Sequence, residues 1–507
     1  MKTFLMIIFS ISVISTAQAK VYVATEESVT CAQMGVSECE FVSHPLLATG
    51  YNYEPGKSKP GKLVLGDTLI INGDFKLGYD PIFPGCSKFY PDQCYMKALP
   101  SGVKVLGKGW DSGCQDPPQL WATEKANTVL NLKGSDNVEI QCLEITDHSD
   151  CQEHGPKPCN RTTYPFGNWG TNGLIASDSE NVFMKNVTIH GMAYRGAHLG
   201  RIKDWYLENV QILNNSFVGW DGDIGAFNSS NSGTITFKNS KIKGSGCGET
   251  YPGLKPFNCR SQSQGGYGDG IGTHKTGANW VFINTEISEN TSDGLDLLYH
   301  DGNGEVTIID SKFERNAGNQ VKINTKANIN KTLIDGNCAW FKNNSIAIQN
   351  NFDHCRAYGN TVHLGFMAGI QSYLKDSQLL NVIGDVALLS KGSTCDGTEK
   401  LSLINTPIEL KTSFHGGDPS GLYWAGGSGG NGEGPCGQLK LTVDNNPTPV
   451  PEPTPIPEPE PIPEPTPCPK CPACPVLEPC PIPEPCPTCP ICPNYQPVEE
   501  RLFREVL

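Results

Sequence analysis

The sequence predicts an all-β protein folded as a right-handed parallel β-helix, followed by a disordered Pro/Cys-rich C-terminal tail. Three observations predict it. The 507 residues include 55 Gly and 39 Pro with only 18% charged residues, which suits many short strands and turns and not long helices. A strand-like pattern recurs every few tens of residues, the mark of a solenoid. One polar residue returns at the same point of successive copies: Asn186, Asn209, Asn239, Asn284, Asp310 and Asp335, with Cys142 in an earlier copy.

Residues 1–19 read as a secretory signal. Lys2 supplies the positive start, Phe4 to Val13 the apolar run, and Ala17-Gln18-Ala19 the cleavage site. No later segment approaches the ~20 apolar residues of a membrane span. An exported, extracellular or cell-surface protein (or a periplasmic one) also suits the cysteines. Fourteen of the 21 fall in the body as local couples: Cys31/Cys39, Cys86/Cys94, Cys114/Cys142, Cys151/Cys159, Cys247/Cys259, Cys338/Cys355 and Cys395/Cys436. The net charge of −14 excludes an ordinary basic-patch nucleic-acid binder.

Residues 20–125 are β-rich, with LVLGDTLIING and GVKVLGKGW as first rungs or a cap. The regular β-helix is expected over 126–445. Its copies include NVEIQCLEI from Asn137, NVFMKNVTI from Asn181, DWYLENVQI from Asp204 and NWVFINTEI from Asn279. The recurring Asn/Asp positions are spaced 23, 30, 45, 26 and 25 residues apart, and the 45 marks an insertion carrying Cys247 and Cys259. A rung cannot bury its apolar face alone, so stacking must supply the core. The recurring Asn is expected to hydrogen-bond along the stack at a turn.

At 446 the composition changes. Residues 446–498 form a Pro/Cys-rich stalk whose 21-residue alternating Pro tract would extend about 65 Å as polyproline II. Seven cysteines follow from Cys468. An odd number in an exported chain points to interchain disulfides or cell-surface attachment, with zinc as the alternative reading of Cys-x-x-Cys. Residues 499–507 form a short segment with Leu502 and Val506 four apart.

Aligning the rungs produces columns of side chains about 4.8 Å apart. Asp269 and Asp293 share the first column, and His198, Gly225, Gly272, Asp296 and Lys322 share the fourth position. His274 and Asn324 share the sixth. Side chains alternate along a strand, so Ile271, Leu295, Leu297, Val321 and Ile323 point inward. Asp269, Asp293, Asp296, Lys322 and His274 then converge on one exposed patch. Clustered carboxylates need a counter-charge, and calcium suits oxygen ligands drawn from separate strands and turns. Asp-Gly is also a common turn signal, which accounts for Asp269 and Asp293 but not for Asp296 or Lys322.

The runs GDGIGTHK, NTSDGLDLLYH and GNQVKIN on successive rungs resemble the calcium-dependent pectate lyases of polysaccharide lyase family nine. The resemblance implies a pectate-lyase-like β-helix with Asp269, Asp293 and Asp296 holding calcium. It also implies that Lys322 removes the proton beside a uronate carboxylate, so that an acidic polysaccharide is cleaved by β-elimination. The chain departs from the pattern at Ser292, where the family has a further Asp. His274, His300 and Arg201 are candidates for substrate binding.

Two other readings compete. A β-helix glycoside hydrolase needs paired carboxylates, and Trp220-Asp221-Gly222-Asp223 offers a pair. A non-catalytic, surface-displayed glycan-binding β-helix would account for the stalk and the odd cysteine count.

Overall fold

The computed structural model describes residues 19–444 except 80–85, 154–156, 253–254, 258, 261–267, 338, 345–347, 350–360, 365–369, 384–399 and 413–440. The signal run, the stalk, the terminal segment and the couples Cys338/Cys355 and Cys395/Cys436 lie outside the described residues, Ala19 apart.

Strands dominate, and nearly all of them join one parallel ladder. Pairing starts earlier than the first rungs read from the sequence. Val21–Thr25 pairs with Glu40–Val42 and with Thr68–Asn72, which in turn pairs with Lys104–Gly107. Parallel neighbours separated by a whole coil make a solenoid, and strand-to-strand crossovers of this kind are right-handed. The fold is a right-handed parallel β-helix.

One strip of the ladder carries the chemistry. Its strands are β1 (Gly170–His190), β2 (Arg195–Leu213), β3 (Trp220–Gly222), β4 (Ile271–Thr273), β5 (Leu295–Leu297), β6 (Val321–Ile323) and β7 (Val362–Leu364). Each pairs with the next in parallel. Within β5 and β6 the flanking residues are fully buried while Asp296 and Lys322 are partly exposed. That is the alternation expected of a strand with one face on the core. Trp205, Trp220, Phe237, Trp280, Phe282 and Phe313 fill the core behind the strip. Each buried side chain of this size contributes roughly 1.5–3 kcal/mol relative to exposure.

The turn column forms as the sequence predicts. Asn186, Asn209, Asn239 and Asn284 share left-handed φ values of 53°, 52°, 52° and 47°, a conformation that Asn tolerates better than most residues. The Asn209 side-chain amide donates to Asn186 Oδ1 at 2.7 Å, and that of Asn284 to Asn239 Oδ1 at 2.9 Å. A second left-handed column, Asn137, Asn181 and Asp204 at 55°, 54° and 53°, runs beside it.

Among the described residues the expected disulfides Cys31–Cys39, Cys86–Cys94, Cys114–Cys142, Cys151–Cys159 and Cys247–Cys259 are present. The last closes the insertion between β3 and β4, an antiparallel hairpin of Gly248–Thr250 with Lys255–Phe257. Beyond it, Cys259–Arg260 pairs with Ile348–Gln349, from the irregular segment that follows β6.

Candidate active site

The strand registers define one outward column: His198, Asp221, Gly272, Asp296, Lys322 and His363. One member differs from the sequence alignment, which put Gly225 where Asp221 stands. The reason is packing. Trp220 is fully buried and pairs with Ala197 and Ile271, and the inward residue sets the register of a strand. Gly225 instead opens the short turn Ala226–Asn228, with φ at 99°.

At the Lys322 end, the turns before β4 and β5 bring Asp269 and Asp293 together. The backbone N–H of Asp293 donates to Asp269 Oδ1 at 2.9 Å. Both side chains are buried, at 1% exposure each, and so do not lie on the exposed patch expected from the sequence, because they sit in the turns before the strands and not on the strand face. Asp293 Oδ1 also accepts the backbone N–H and side-chain amide of Asn319 at 2.7 and 2.9 Å. Lys322 Nζ then donates to Asp296 Oδ2 at 2.7 Å and to Asp293 Oδ2 at 3.1 Å. Asp296 Oδ1 accepts the Leu298 N–H at 2.9 Å.

Burial is the largest single influence on Lys322 and pulls its pKa down. The charges of Asp293, Asp296 and Asp269 together outweigh it, so the ammonium is held well above the ordinary lysine range. Burial pushes Asp296 up, and the charge of Asp293 adds to this against the pull of Lys322. Three carboxylates thus face one ammonium, a buried excess of negative charge. The donor set is oxygen-only and already accommodates a cation. Oxygen-only donors are the type a hard divalent ion such as calcium takes, although here Lys322 engages two of the three carboxylates. Ser292, next to Asp293, is fully buried, its N–H donating to Gly268 O at 3.0 Å.

Two coils away lies a second cluster that the sequence alignment did not assemble. His198 Nε2 sits 2.5 Å from Asp223 Oδ1, and Arg195 Nε donates to Asp221 Oδ2. The Arg195 guanidinium also lies over the Tyr194 ring, 4.0 Å from its centroid. Potential ligand atoms of His198, Asp221 and Asp223 all lie within 4.8 Å of one another, a grouping that Asp269, Asp293 and Asp296 do not make. Burial pushes Asp221 up, against the pull of Arg195. Burial also opposes ionisation of Asp223, but the hydrogen bond and charge of His198 outweigh it and hold that carboxyl below the ordinary range.

Of the remaining candidates, His274 follows β4 beside Asp223, with its ring 4.9 Å from Phe227 and 6.1 Å from Tyr299. His300 is buried, and backbone groups engage both its ring nitrogens: Ala278 O at 3.0 Å and the Gly302 N–H at 3.1 Å. It holds a turn. Arg201 forks onto Asp178 at 2.6 and 2.7 Å and reaches Ile224 O at 3.2 Å. Neither joins the carboxylate–lysine cluster.

No protein-family model matches the chain, and no curated protein matches it. Solved structures do match. The pectate lyase Pel9A is 15% identical, with 69% of each chain covered and a TM-score of 0.34. The polygalacturonase of Erwinia carotovora ssp. carotovora is 10% identical, covering 80% of this chain and 96% of its own, at 0.33. PfbA, a surface adhesin of Streptococcus pneumoniae, is 11% identical, covering 69% and 86%, at 0.30. At such identities and scores, function has to be read from the side chains.

Proposed function

We propose that the protein is a secreted, calcium-dependent polysaccharide lyase that cleaves a uronate-containing chain by β-elimination. The observation that carries this is the pairing of Asp296 with Lys322 on adjacent coils, with the Lys322 ammonium joined to both Asp293 and Asp296. A rigid strand presents Lys322 at a fixed position, and a cation on the neighbouring carboxylates would offset the charges that keep it protonated.

Asp269, Asp293 and Asp296 would hold the cation. When bound, calcium would supply positive charge to the substrate carboxylate and so favour the negative charge that builds on it during proton removal. Asn319 fixes Asp293 through two N–H donors, and Leu298 fixes Asp296, so the carboxylates are held before substrate arrives. A lysine acts as a base only when neutral. The ion pairs of Lys322 with Asp293 and Asp296 must therefore be relieved for the amine to form. Its lone pair then takes the proton alpha to the uronate carboxylate. The C–H electrons form the new carbon–carbon double bond, the glycosidic C–O bond breaks, and the departing oxygen takes a proton from water.

The Asp221/Asp223 pair supports a second reading. Their environments push the two carboxyls in opposite directions, which is how an acid and a base are set apart in a glycoside hydrolase. A panel of polyuronates with and without chelator separates the two. A lyase yields an unsaturated, ultraviolet-absorbing end and stops when calcium is removed. A hydrolase yields reducing ends without that absorbance. Binding without either product would favour a non-catalytic glycan-binding role.

A further inference from the structure

The aromatic residues beside the column have no part in the proton transfer just described. Phe227 is 78% exposed and Tyr299 58% exposed, and the His274 ring lies between them, 4.9 Å from the first and 6.1 Å from the second. They come from the turn after β3, the end of β4 and the end of β5. The three rings therefore follow one another from coil to coil, the His274 ring lying at 72° to that of Phe227 and 35° to that of Tyr299. The Phe227 and Tyr299 rings are not needed by the core, since the inward residues of the same strands are already buried.

Two further features belong to the same place. Gly272 is the column member without a side chain, and it lies between Asp221 and Asp296. A Cβ there would come within 2.9 Å of Asp269 Oδ2. The room a side chain would take at this coil, between the two charged clusters, is filled by the Asp269 side chain. The Phe227 turn is also pinned from beneath. Arg201 Nη1 donates to Ile224 O at 3.2 Å while its other nitrogens are fixed by Asp178, so the exposed ring stands on an anchored loop.

We infer that Phe227, His274 and Tyr299 line an aromatic wall against which a pyranose ring of the bound glycan packs. The apolar C–H face of a sugar packs on an aromatic face, while its hydroxyls reach the polar column. Asp223, partly exposed and interacting with His274, is an acceptor at that polar column. The subsite holds one ring of the same chain whose neighbour presents its reacting carbon to Lys322. This inference rests on the lyase reading for the identity of the chain, but the wall itself binds without turnover.

The test uses the full-length Lys322→Ala protein with calcium, so that binding is read without cleavage. Oligosaccharides of galacturonate, mannuronate and glucuronate are titrated calorimetrically, and the tightest binder is carried forward. Adding Phe227→Ala or Tyr299→Ala should each weaken its binding roughly tenfold. Tyr299→Phe should retain wild-type affinity, because the ring and not the hydroxyl makes the contact. Both rings are exposed, so the variants fold. Affinities within twofold of the parent for both alanine variants, or no binding of any oligosaccharide, would overturn the inference. If the wild-type protein cleaves none of the oligosaccharides while the wall variants still lose affinity, the lyase reading fails and the subsite stands. If it cleaves and the variants bind normally, the reverse holds.

Discussion

The two ends of one β-helix strip solve the same electrostatic problem differently. Both cluster carboxylates on an outward column that strand alternation places over a buried apolar row. At the Lys322 end the cation comes from the next coil of the same column, and Asp293 is almost wholly enclosed. At the His198 end the counter-charges are Arg195 and an imidazole, and the Asp223 side chain remains 45% exposed. The first is a closed, preorganised cluster whose carboxylates keep its lysine charged. The second is an open pair whose members titrate apart. Position in the column is therefore not enough to assign chemistry. Enclosure and the nature of the counter-ion decide it.

The largest expected effect lies in the closed cluster. Asp293→Ala removes the acceptor for both Asn319 donors and one partner of a buried ammonium, which should cost about 3–5 kcal/mol of stability. Asp223→Ala, in the open pair, should cost no more than about 1 kcal/mol. Urea denaturation of the two variants checks the contrast, and equal losses would erase the distinction between the clusters.

A third cluster, off the column, provides the pH dependence. His190 sits between Glu249 at 2.7 Å and Glu144 at 2.9 Å. Burial pulls its pKa down, but the two carboxylates outweigh this and raise it to about 9. A raised histidine contributes stability that is fully present below its unfolded value of about 6.5 and is lost as pH climbs through the folded value. The contribution is on the order of 3 kcal/mol. Stability should therefore fall between about pH 6.5 and pH 9, and His190→Gln should flatten that slope. Because Glu249 belongs to the insertion hairpin, the loss should appear there first by hydrogen exchange.

Smaller effects calibrate the scaffold shared by both ends. Asn239→Ala loses the side-chain hydrogen bond to Asn284 and leaves Ala in a left-handed turn, for about 1–2 kcal/mol by thermal or urea unfolding. Arg201→Ala breaks an exposed fork with Asp178 and should change stability by less than about 1 kcal/mol.

Much of this was legible in the sequence because the β-helix repeats its geometry. Period-two alternation put Asp296 and Lys322 on one face and Leu295, Leu297, Val321 and Ile323 on the other. The recurring Asn marked a turn that needs positive φ. What escaped has physical reasons. Asp221 falls outside the sequence-derived column because the motif there starts the rung at Gly222, whereas buried Trp220 sets the register. Asn319 carries no motif of its own, and its role depends on a carboxylate one coil away. The His190–Glu249 contact joins residues across the insertion, where no repeat constrains the chain. His300 carries the same chemical label as a ligand-binding histidine, and only its two backbone partners show that it holds a turn.

The central claim is that Lys322 is the base and the buried aspartates are the cation site. The most direct test follows calcium binding and ultraviolet-absorbing product together, in the wild-type protein and in Lys322→Ala, on the best polyuronate of the panel. Lys322→Ala should still bind calcium while forming no unsaturated product. Full lyase activity in Lys322→Ala would contradict the account.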